Sequence, residues 1–410
     1  MKKGSFTLLS GSLTLLIAYN LFNVCNFIYQ FSMARLLSPI EYGALATLFT
    51  VVYFVSLFSD TLQTTVTTFI SKTEDKGKIK DTIIRFSQGA LKYTFAVWTL
   101  YSILVFFIAP YLKLSSLHLL LIGTLIPLSF VTAILRGGLQ GTQKFKELGL
   151  GLIVESFVKV SVAISLVWFG WALYGAIWGV IIGALVIIPL SSKQLRLKNI
   201  SRKEAHLQAP FKKGVITLVL MLGVVGFYSI DLLIARLIFS EEIAGNYALA
   251  ALLGKIILWG AMPIGRAYLP LAVMSSQVKR KKLLIKAGLF SSFLVITLLS
   301  IYFFFSEQLI ILFSGKDLPL AAKLLFKTGI AMSILTFLNL YFLHLLANIK
   351  EDISFNQKKI KFVICAIGIG LVSEVVLLST AHSIESFTTR LIIASCALGI
   401  YVWSGQQLAK

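Results

Sequence analysis

The longest apolar run in the chain covers residues 148–190, and it limits what the chain can fold into. As one α-helix these 43 residues would measure about 64 Å at 1.5 Å per residue, whereas the hydrocarbon core of a bilayer is about 30 Å thick. The run must therefore fold back on itself. Gly170, inside "WFGWALYG", is the predicted turn between two helices.

Apolar stretches recur along the whole sequence. Hydrophobic residues make up 57% and charged residues 13% of the 410 residues, a composition that an ordinary water-soluble domain does not have. The stretches are continuously apolar over about 20 residues, unlike the alternating pattern of membrane β-strands. The sequence therefore predicts an all-α polytopic membrane protein with twelve transmembrane helices, at residues 6–33, 42–69, 87–109, 117–135, 148–169, 171–190, 214–239, 246–273, 287–306, 320–346, 361–380 and 387–406.

One short pattern occurs twice. The stretch "ARLLSPIEYGALATL" begins at Ala34, and "ARLIFSEEIAGNYALA" begins 201 positions later at Ala235. If the two are homologous, the chain is two parallel six-helix repeats, with corresponding helices crossing the membrane in the same direction. We accordingly expect an N-terminal bundle at 1–190, a cytoplasmic linker at 191–213 and a C-terminal bundle at 214–410.

The positive charges lie mainly on one side of the predicted spans. With the N-terminus inside, the interior loops and termini hold 27 of the 38 Lys and Arg, the outer segments hold six and the spans hold five. This asymmetry follows the positive-inside rule and predicts that both termini are cytoplasmic. The net charge of +21 is therefore topogenic, and no nucleic-acid partner is expected.

Nine ionisable residues in the predicted spans are candidates for functional groups, and each costs about 2.5–3.5 kcal/mol if it lies at the helix centre, on insertion scales. They are expected to face one another or a wet cavity, and they are Asp60, Lys92, Glu155, Lys159, Asp231, Arg236, Lys255, Arg266 and Glu374. On the eighth span, Lys255 and Arg266 lie within about 20° of one face, together with Trp259. Two cations and an indole suit a sugar and a phosphate; alternatively, both cations pair with acids across the bundle.

The other charged positions also allow two interpretations. Glu155 and Lys159, four residues apart, are predicted to form an ion pair, or else to contact substrate. Glu374 has no local partner and is a candidate for proton coupling. In the repeat register Gln30 corresponds to Asp231 and Arg35 to Arg236, so an amide in one half stands where an acid stands in the other.

No cofactor or metal is expected. The three cysteines and four histidines have no metal-ligand spacing, and the chain contains no G-x-x-x-x-G-K-[ST] phosphate loop. The one small ion that the intramembrane acids are expected to bind is a coupling H⁺ or Na⁺.

Five stretches resemble a known family: "ARLLSPIEYGALATLFTVVYF" (34–54), "SDTLQTTVTTFISK" (59–72), "LRGGLQGTQKFKELGLGLIVE" (135–155), "WALYGAIWGVIIG" (171–183) and "MPIGRAYLPL" (262–271). In order and spacing they resemble the oligosaccharide flippases, or polysaccharide biosynthesis (O-antigen-type) transporters, of the multidrug/oligosaccharidyl-lipid/polysaccharide exporter superfamily. The last four spans match only in hydropathy.

This resemblance implies two six-helix bundles around a central cavity in the cell (inner) membrane. It implies alternating-access transport of a polyprenyl-diphosphate-linked oligosaccharide to the outer leaflet, with membrane lipids and other polysaccharide-assembly proteins as partners and with no enzymatic activity. The residues that would fit headgroup contacts are Lys255, Arg266, Trp259, Arg35, Lys92, Lys159 and Arg236. Those that would fit ion coupling are Asp60, Asp231, Glu374 and Glu155.

Three other functions remain open. A cation-coupled multidrug antiporter of the same superfamily would favour an acidic, aromatic cavity, whereas the nine candidate residues are five cations and four acids. A membrane glycosyltransferase would need an acidic site in a large outer loop, and the predicted outer loops are short. A scaffold would not need buried charges.

Overall fold

The computed structural model describes the backbone of residues 2–71, 73, 76–195, 211–273, 275–348 and 353–408. Side chains within these ranges are described except at 2–13, 76, 78, 211–221, 224, 266, 270, 346, 348, 353–363, 403 and 405–408. The chain divides into two compact units, Met1–Gly214 and Val215–Lys410. Each unit is described by itself below.

The first unit is built from seven helices in the described residues. They are α1 (Lys2–Leu36), α2 (Pro39–Ser71), α3 (Lys76–Ile108), α4 (Ser116–Gly123), α5 (Leu125–Gly141), α6 (Phe145–Leu166) and α7 (Ala172–Leu195). Thr124 separates α4 from α5, and Pro127 then stands in the first turn of α5, where a missing backbone N–H removes no helical hydrogen bond.

The second unit repeats this organisation. Its helices in the described residues are α8 (Phe211–Ile238), α9 (Glu241–Val273), α10 (Gln277–Phe304), α11 (Ser306–Ser314), α12 (Pro319–Asn348), α13 (Ile353–Ser379) and α14 (Ile384–Leu408). Helix α9 continues without interruption through the "MPIG" segment at 262–265. The short helix α11 is an addition that hydropathy did not predict.

The helices have the length and composition of membrane spans. Eight stretches in the described residues are long and apolar enough to cross a bilayer, and one of them, Phe145–Leu195, contains both α6 and α7. Large apolar side chains are also exposed along α3 and α10, as at Phe107 (69%) and Phe293 (75%), which suits surfaces that face lipid. The predicted class, an all-helical polytopic membrane protein, is confirmed.

The predicted fold-back at Gly170 is confirmed. A wide turn at Val167–Trp171 joins α6 to α7, and within it Gly170 has φ 87° and ψ 11°. Glycine adopts this left-handed conformation without the steric cost that a Cβ imposes. Ala172, the residue after the turn, also has a positive φ of 44°, so strain is concentrated at this reversal.

Helices α6 and α7 pack closely because three glycines, four residues apart, face α6. A Cβ at Gly179 would lie 2.5 Å from the Cβ of Ala163, and one at Gly183 would lie 2.9 Å from both the Glu155 carbonyl oxygen and the Lys159 Cβ. Gly175 makes a similar approach to Leu166 and Val167. Small residues at this spacing are typical of membrane helix interfaces.

The two similar motifs fold alike. In each repeat the motif ends one helix, turns, and begins the next, at α1–α2 and at α8–α9. At the first turn the Glu41 carboxylate accepts from the Ser38 N–H at 2.8 Å, while the Glu41 N–H donates to the Ser38 hydroxyl at 3.2 Å. This reciprocal pair is a capping box.

Several helices extend beyond the predicted spans: α3 begins at Lys76, α10 at Gln277 and α13 at Ile353. Two further extensions bear on the sites. Helix α5 continues to Gly141, so Arg136, which hydropathy placed in an interior loop, lies on a helix. Helix α7 continues to Leu195, whereas 196–210 of the predicted linker lies outside the described residues. The linker at 191–213 and the bundle limits at 190 and 214 stay predictions.

Candidate functional sites in the two units

The first candidate site is a buried polar cluster in the second unit. Asp231 on α8 is fully buried, and its Oδ2 accepts a 2.6 Å hydrogen bond from the Tyr247 hydroxyl on α9. Its Oδ1 lies 3.5 Å from the Lys255 ammonium, whose side chain is 2% exposed. Tyr247 is held in turn by an edge-to-face contact with Phe387 of α14, at 5.2 Å between ring centroids. Lys255 is thus paired with an acid across the bundle.

Glu374 on α13 belongs to the same cluster. It is fully buried, and it interacts electrostatically with Asp231 and Lys255. Neither of its carboxylate oxygens has a hydrogen-bond partner among the described residues. Helices α8, α9 and α13 therefore bring two acids and one ammonium into one buried region.

The second candidate site lies in the first unit, where α1, α5 and α6 meet. Arg136 and Glu155 form an ion pair whose side chains are 20% and 16% exposed. Asp60 on α2 adds a favourable charge interaction with Arg136. The ion pair predicted within α6, between Glu155 and Lys159, is therefore wrong: the longer arginine reaches Glu155 from α5.

Lys159 instead contacts neutral groups on α1. Its ammonium donates a hydrogen bond to the Asn26 side chain and lies 4.9 Å from the centroid of the Tyr29 ring, a cation–π arrangement. The Tyr29 hydroxyl donates a 2.9 Å bond to the Ala176 carbonyl of α7, which fixes the ring. The Lys159 backbone is held close to α7 by Gly183.

The two units differ at one corresponding position. Gln30 Oε1 accepts a 3.2 Å hydrogen bond from Tyr42, and Asp231 Oδ2 accepts the 2.6 Å bond from Tyr247. Both residues are therefore anchored to a tyrosine of the next helix. The amide in one repeat and the carboxylate in the other put the ionisable group only at the second position.

The remaining predicted residues are scattered. The buried Arg236 pairs with Glu241 at 3.0 Å. Arg35 is exposed, with its guanidinium 4.7 Å from the Phe31 ring centroid. Trp259 is half-buried on α9, whereas Lys92 and Asp60 are exposed. The Arg266 side chain lies outside the described residues, so the predicted face of Lys255, Trp259 and Arg266 stays a prediction.

Sequence reasoning missed three residues of these sites, Arg136, Tyr29 and Tyr247, and it missed the contact between Asn26 and Lys159. Tyr247 lies within the second copy of the repeated motif, which is a usable signal for a buried partner of Asp231. Arg136 carried no such signal, because it stands near the end of an apolar stretch. In the described part of the chain no group of three or more His, Cys, Asp or Glu could hold a metal ion.

An all-helical fold in two repeats, with apolar spans and ionisable clusters inside each unit, defines a polytopic membrane protein. Within that class the chain belongs to the family described as "Polysaccharide biosynthesis protein", whose profile matches residues 8–276, more than half of the 410 residues. The resemblance seen in the sequence motifs is thereby confirmed. No curated protein is significantly similar in sequence.

Solved structures show the same fold. An inward-facing multidrug resistance MATE family transporter of the MOP superfamily matches with a TM-score of 0.76 and 12% identity, over 95% of this chain and 94% of that chain. The lipid II flippase MurJ, in an inward closed conformation, matches with a TM-score of 0.69 and 13% identity, over 96% of this chain and 87% of that chain. The fold of the chain is therefore the two-repeat fold of these proteins.

Proposed function

We propose that the protein is a flippase that carries a polyprenyl-diphosphate-linked oligosaccharide from the cytoplasmic to the outer leaflet of the cell membrane. The observation that carries this proposal is the match to the polysaccharide biosynthesis family over residues 8–276. The fold shared with a lipid II flippase supports it. The coupling of transport to polysaccharide-assembly proteins is part of the same proposal.

The physical problem of such a substrate is its headgroup. Sugars and a diphosphate lose their hydration in hydrocarbon, and an isolated buried charge costs tens of kcal/mol by Born estimates. A protein lowers this cost by offering hydrogen-bond donors and cations along the path while the lipid tail stays in the bilayer. Alternating access then exposes the headgroup to one side of the membrane at a time.

Lys159 is the cation in the first unit that best fits a diphosphate. The groups that its ammonium contacts are an amide and an aromatic ring, both neutral, and Glu155 adds a charge interaction without forming an ion pair; Lys255 in the second unit is instead buried against Asp231. An ammonium whose direct contacts are neutral can exchange one of them for a charge-assisted bond to phosphate. Asn26 and Tyr29 are suitable neighbours for a sugar, since they supply an amide and a ring face.

An ion gradient is a sufficient driving force. One charge moved across 100 mV supplies about 2.3 kcal/mol, and the buried acids Asp231 and Glu374 are the proposed carriers of a coupling H⁺ or Na⁺. We assign no residue to bond making.

The test is flipping in proteoliposomes. A fluorescent polyprenyl-diphosphate oligosaccharide is placed in both leaflets, and a membrane-impermeant reductant bleaches the outer one; a flippase allows all of the label to be bleached. A parallel set of vesicles is loaded with a fluorescent organic cation. Complete bleaching with no cation efflux supports the flippase, whereas cation efflux without lipid flipping indicates the multidrug antiporter.

A further inference from the structure

Two buried acids of the second unit, Asp231 and Glu374, interact with a cation of the chain's own, Lys255. We propose that Asp231, Lys255 and Glu374 form a proton-binding site in which the Lys255 ammonium occupies the place of a metal cation, so that the site takes H⁺ and excludes Na⁺. The binding site stands independently of the proposed flippase, whereas its use for coupling rests on that proposed function.

The donor set alone would suit a metal ion. Two carboxylates, from α8 and α13, are both fully buried, and hard cations such as Na⁺ prefer oxygen ligands. However, the Lys255 ammonium reaches the cluster from α9 and lies 3.5 Å from Asp231 Oδ1. The second oxygen of Asp231 accepts the 2.6 Å bond from Tyr247. Both oxygens of Asp231 are therefore engaged by protein donors.

The charges do not balance without a proton. The cluster contains two carboxyl groups and one ammonium, so with both acids ionised it carries one net negative charge among buried side chains. A buried net charge is strongly disfavoured relative to a neutral cluster. One proton restores neutrality.

Glu374 is the carboxyl that carries this proton. It is fully buried, and neither oxygen has a hydrogen-bond partner among the described residues. An ionised carboxylate without donors is far less stable in such a place than a neutral carboxylic acid. Asp231, by contrast, is stabilised as an anion by Lys255 and Tyr247. The step is reversible: a proton from water binds one Glu374 oxygen and later returns to water.

Three charged groups whose side chains the structure describes on the neighbouring helices have partners of their own. On α8, Arg236 pairs with Glu241 of α9 at 3.0 Å. On α14, Glu385 pairs with Lys323 at 2.7 Å, and Arg390 donates to the Leu377 carbonyl of α13 at 3.0 Å. Among the described side chains, Asp231 and Lys255 interact electrostatically with Glu374, and Tyr247 is the neutral third neighbour.

The test measures proton binding, and needs no transport assay, on the purified full-length protein. Infrared difference spectra across a pH step should show the carbonyl band of a protonated carboxyl group, and Glu374→Gln should lose it. The matched control, Glu385→Gln, alters an exposed acid and should keep it. A band that survives Glu374→Gln would overturn the proposal.

A second experiment tests whether the site excludes Na⁺. The thermal unfolding temperature of the wild type should be the same in NaCl and KCl, because a ligand stabilises a protein only if it binds the folded state. Lys255→Met removes the ammonium at similar length and should create sodium-specific stabilisation. A sodium-specific shift in the wild type, or a folded Lys255→Met that gains none, contradicts the exclusion mechanism. If Lys255→Met does not fold, the comparison of wild-type unfolding temperatures in NaCl and KCl and the infrared band of Glu374 still test the proposal.

Discussion

The Arg136 guanidinium donates a hydrogen bond to the Glu155 carboxylate, joining α5 to α6. This pair engages the acid that stands one helical turn before Lys159, and Lys159 turns to Asn26 and Tyr29 on α1. The contacts of Lys159 therefore depend on a pairing between α5 and α6, which the sequence of α6 alone does not show.

Breaking the Arg136–Glu155 pair should destabilise the first unit. Removing one partner of a buried pair costs about 3–5 kcal/mol, and we expect the lower end for Glu155→Gln because the two side chains are 20% and 16% exposed. Thermal unfolding in detergent measures the loss. The double variant Arg136→Met/Glu155→Met should recover most of it, and equal losses in the single and double variants would show that the pair is not what stabilises this contact.

The turn between α6 and α7 should tolerate asparagine better than alanine. Gly170 has a φ of 87°, and a Cβ added there would meet open space, so Gly170→Ala pays only the backbone cost of about 1–2 kcal/mol, and Gly170→Asn costs less. Ala172 has a φ of 44°, so Ala172→Gly should remove backbone strain and stabilise the protein. The unfolding temperatures of the three variants should therefore rise in the order Gly170→Ala, Gly170→Asn, Ala172→Gly.

Gly89→Ala is the control for this turn. Gly89 lies within helix α3 and also has open space around a Cβ, so alanine should be neutral or stabilising there by up to about 1 kcal/mol. An equal loss at Gly89 and Gly170 would refute the conformational explanation.

The glycine spacing on α7 gives a packing prediction. Gly179→Ala would place a Cβ 2.5 Å from the Ala163 Cβ and 2.8 Å from its Cα, and overpacking of this kind costs about 1–3 kcal/mol. Gly151→Ala, whose Cβ would find its nearest neighbour at 3.5 Å, should have little effect. Comparing the two unfolding temperatures checks this, and a milder effect at Gly179 would contradict it.

The hydrogen bond between Tyr247 and Asp231 should be worth more than one to a neutral acceptor. Bonds to charged groups contribute about 1.5–3 kcal/mol and neutral ones about 1 kcal/mol. Tyr302 makes a bond of the same 2.6 Å length to the Leu253 carbonyl, so Tyr302→Phe is a matched control. Tyr247→Phe should lower the unfolding temperature further, and the reverse order would argue that Asp231 is not ionised.

The sequence predicted the membrane class, the reversal at Gly170 and the helix ends of the repeated motif, because each depends on local hydropathy, chain length or turn chemistry. It did not predict the partners of Glu155 and Lys255. Arg136 is 19 residues from Glu155 and Asp231 is 24 residues from Lys255, so these pairings depend on how neighbouring helices are rotated. Hydropathy likewise could not separate the exposed Lys92 from the buried Lys255.

Flipping of a fluorescent polyprenyl-diphosphate oligosaccharide by Lys159 variants tests the central claim most directly. Losing a charge-assisted bond of about 1.5–3 kcal/mol should slow flipping about 10- to 100-fold in Lys159→Met. Lys159→Arg should retain part of the rate, and Lys323→Met, at an exposed cation, should match the wild type. Wild-type protein that is folded but flips no faster than empty liposomes, or a Lys159→Met variant at full rate, would contradict the account.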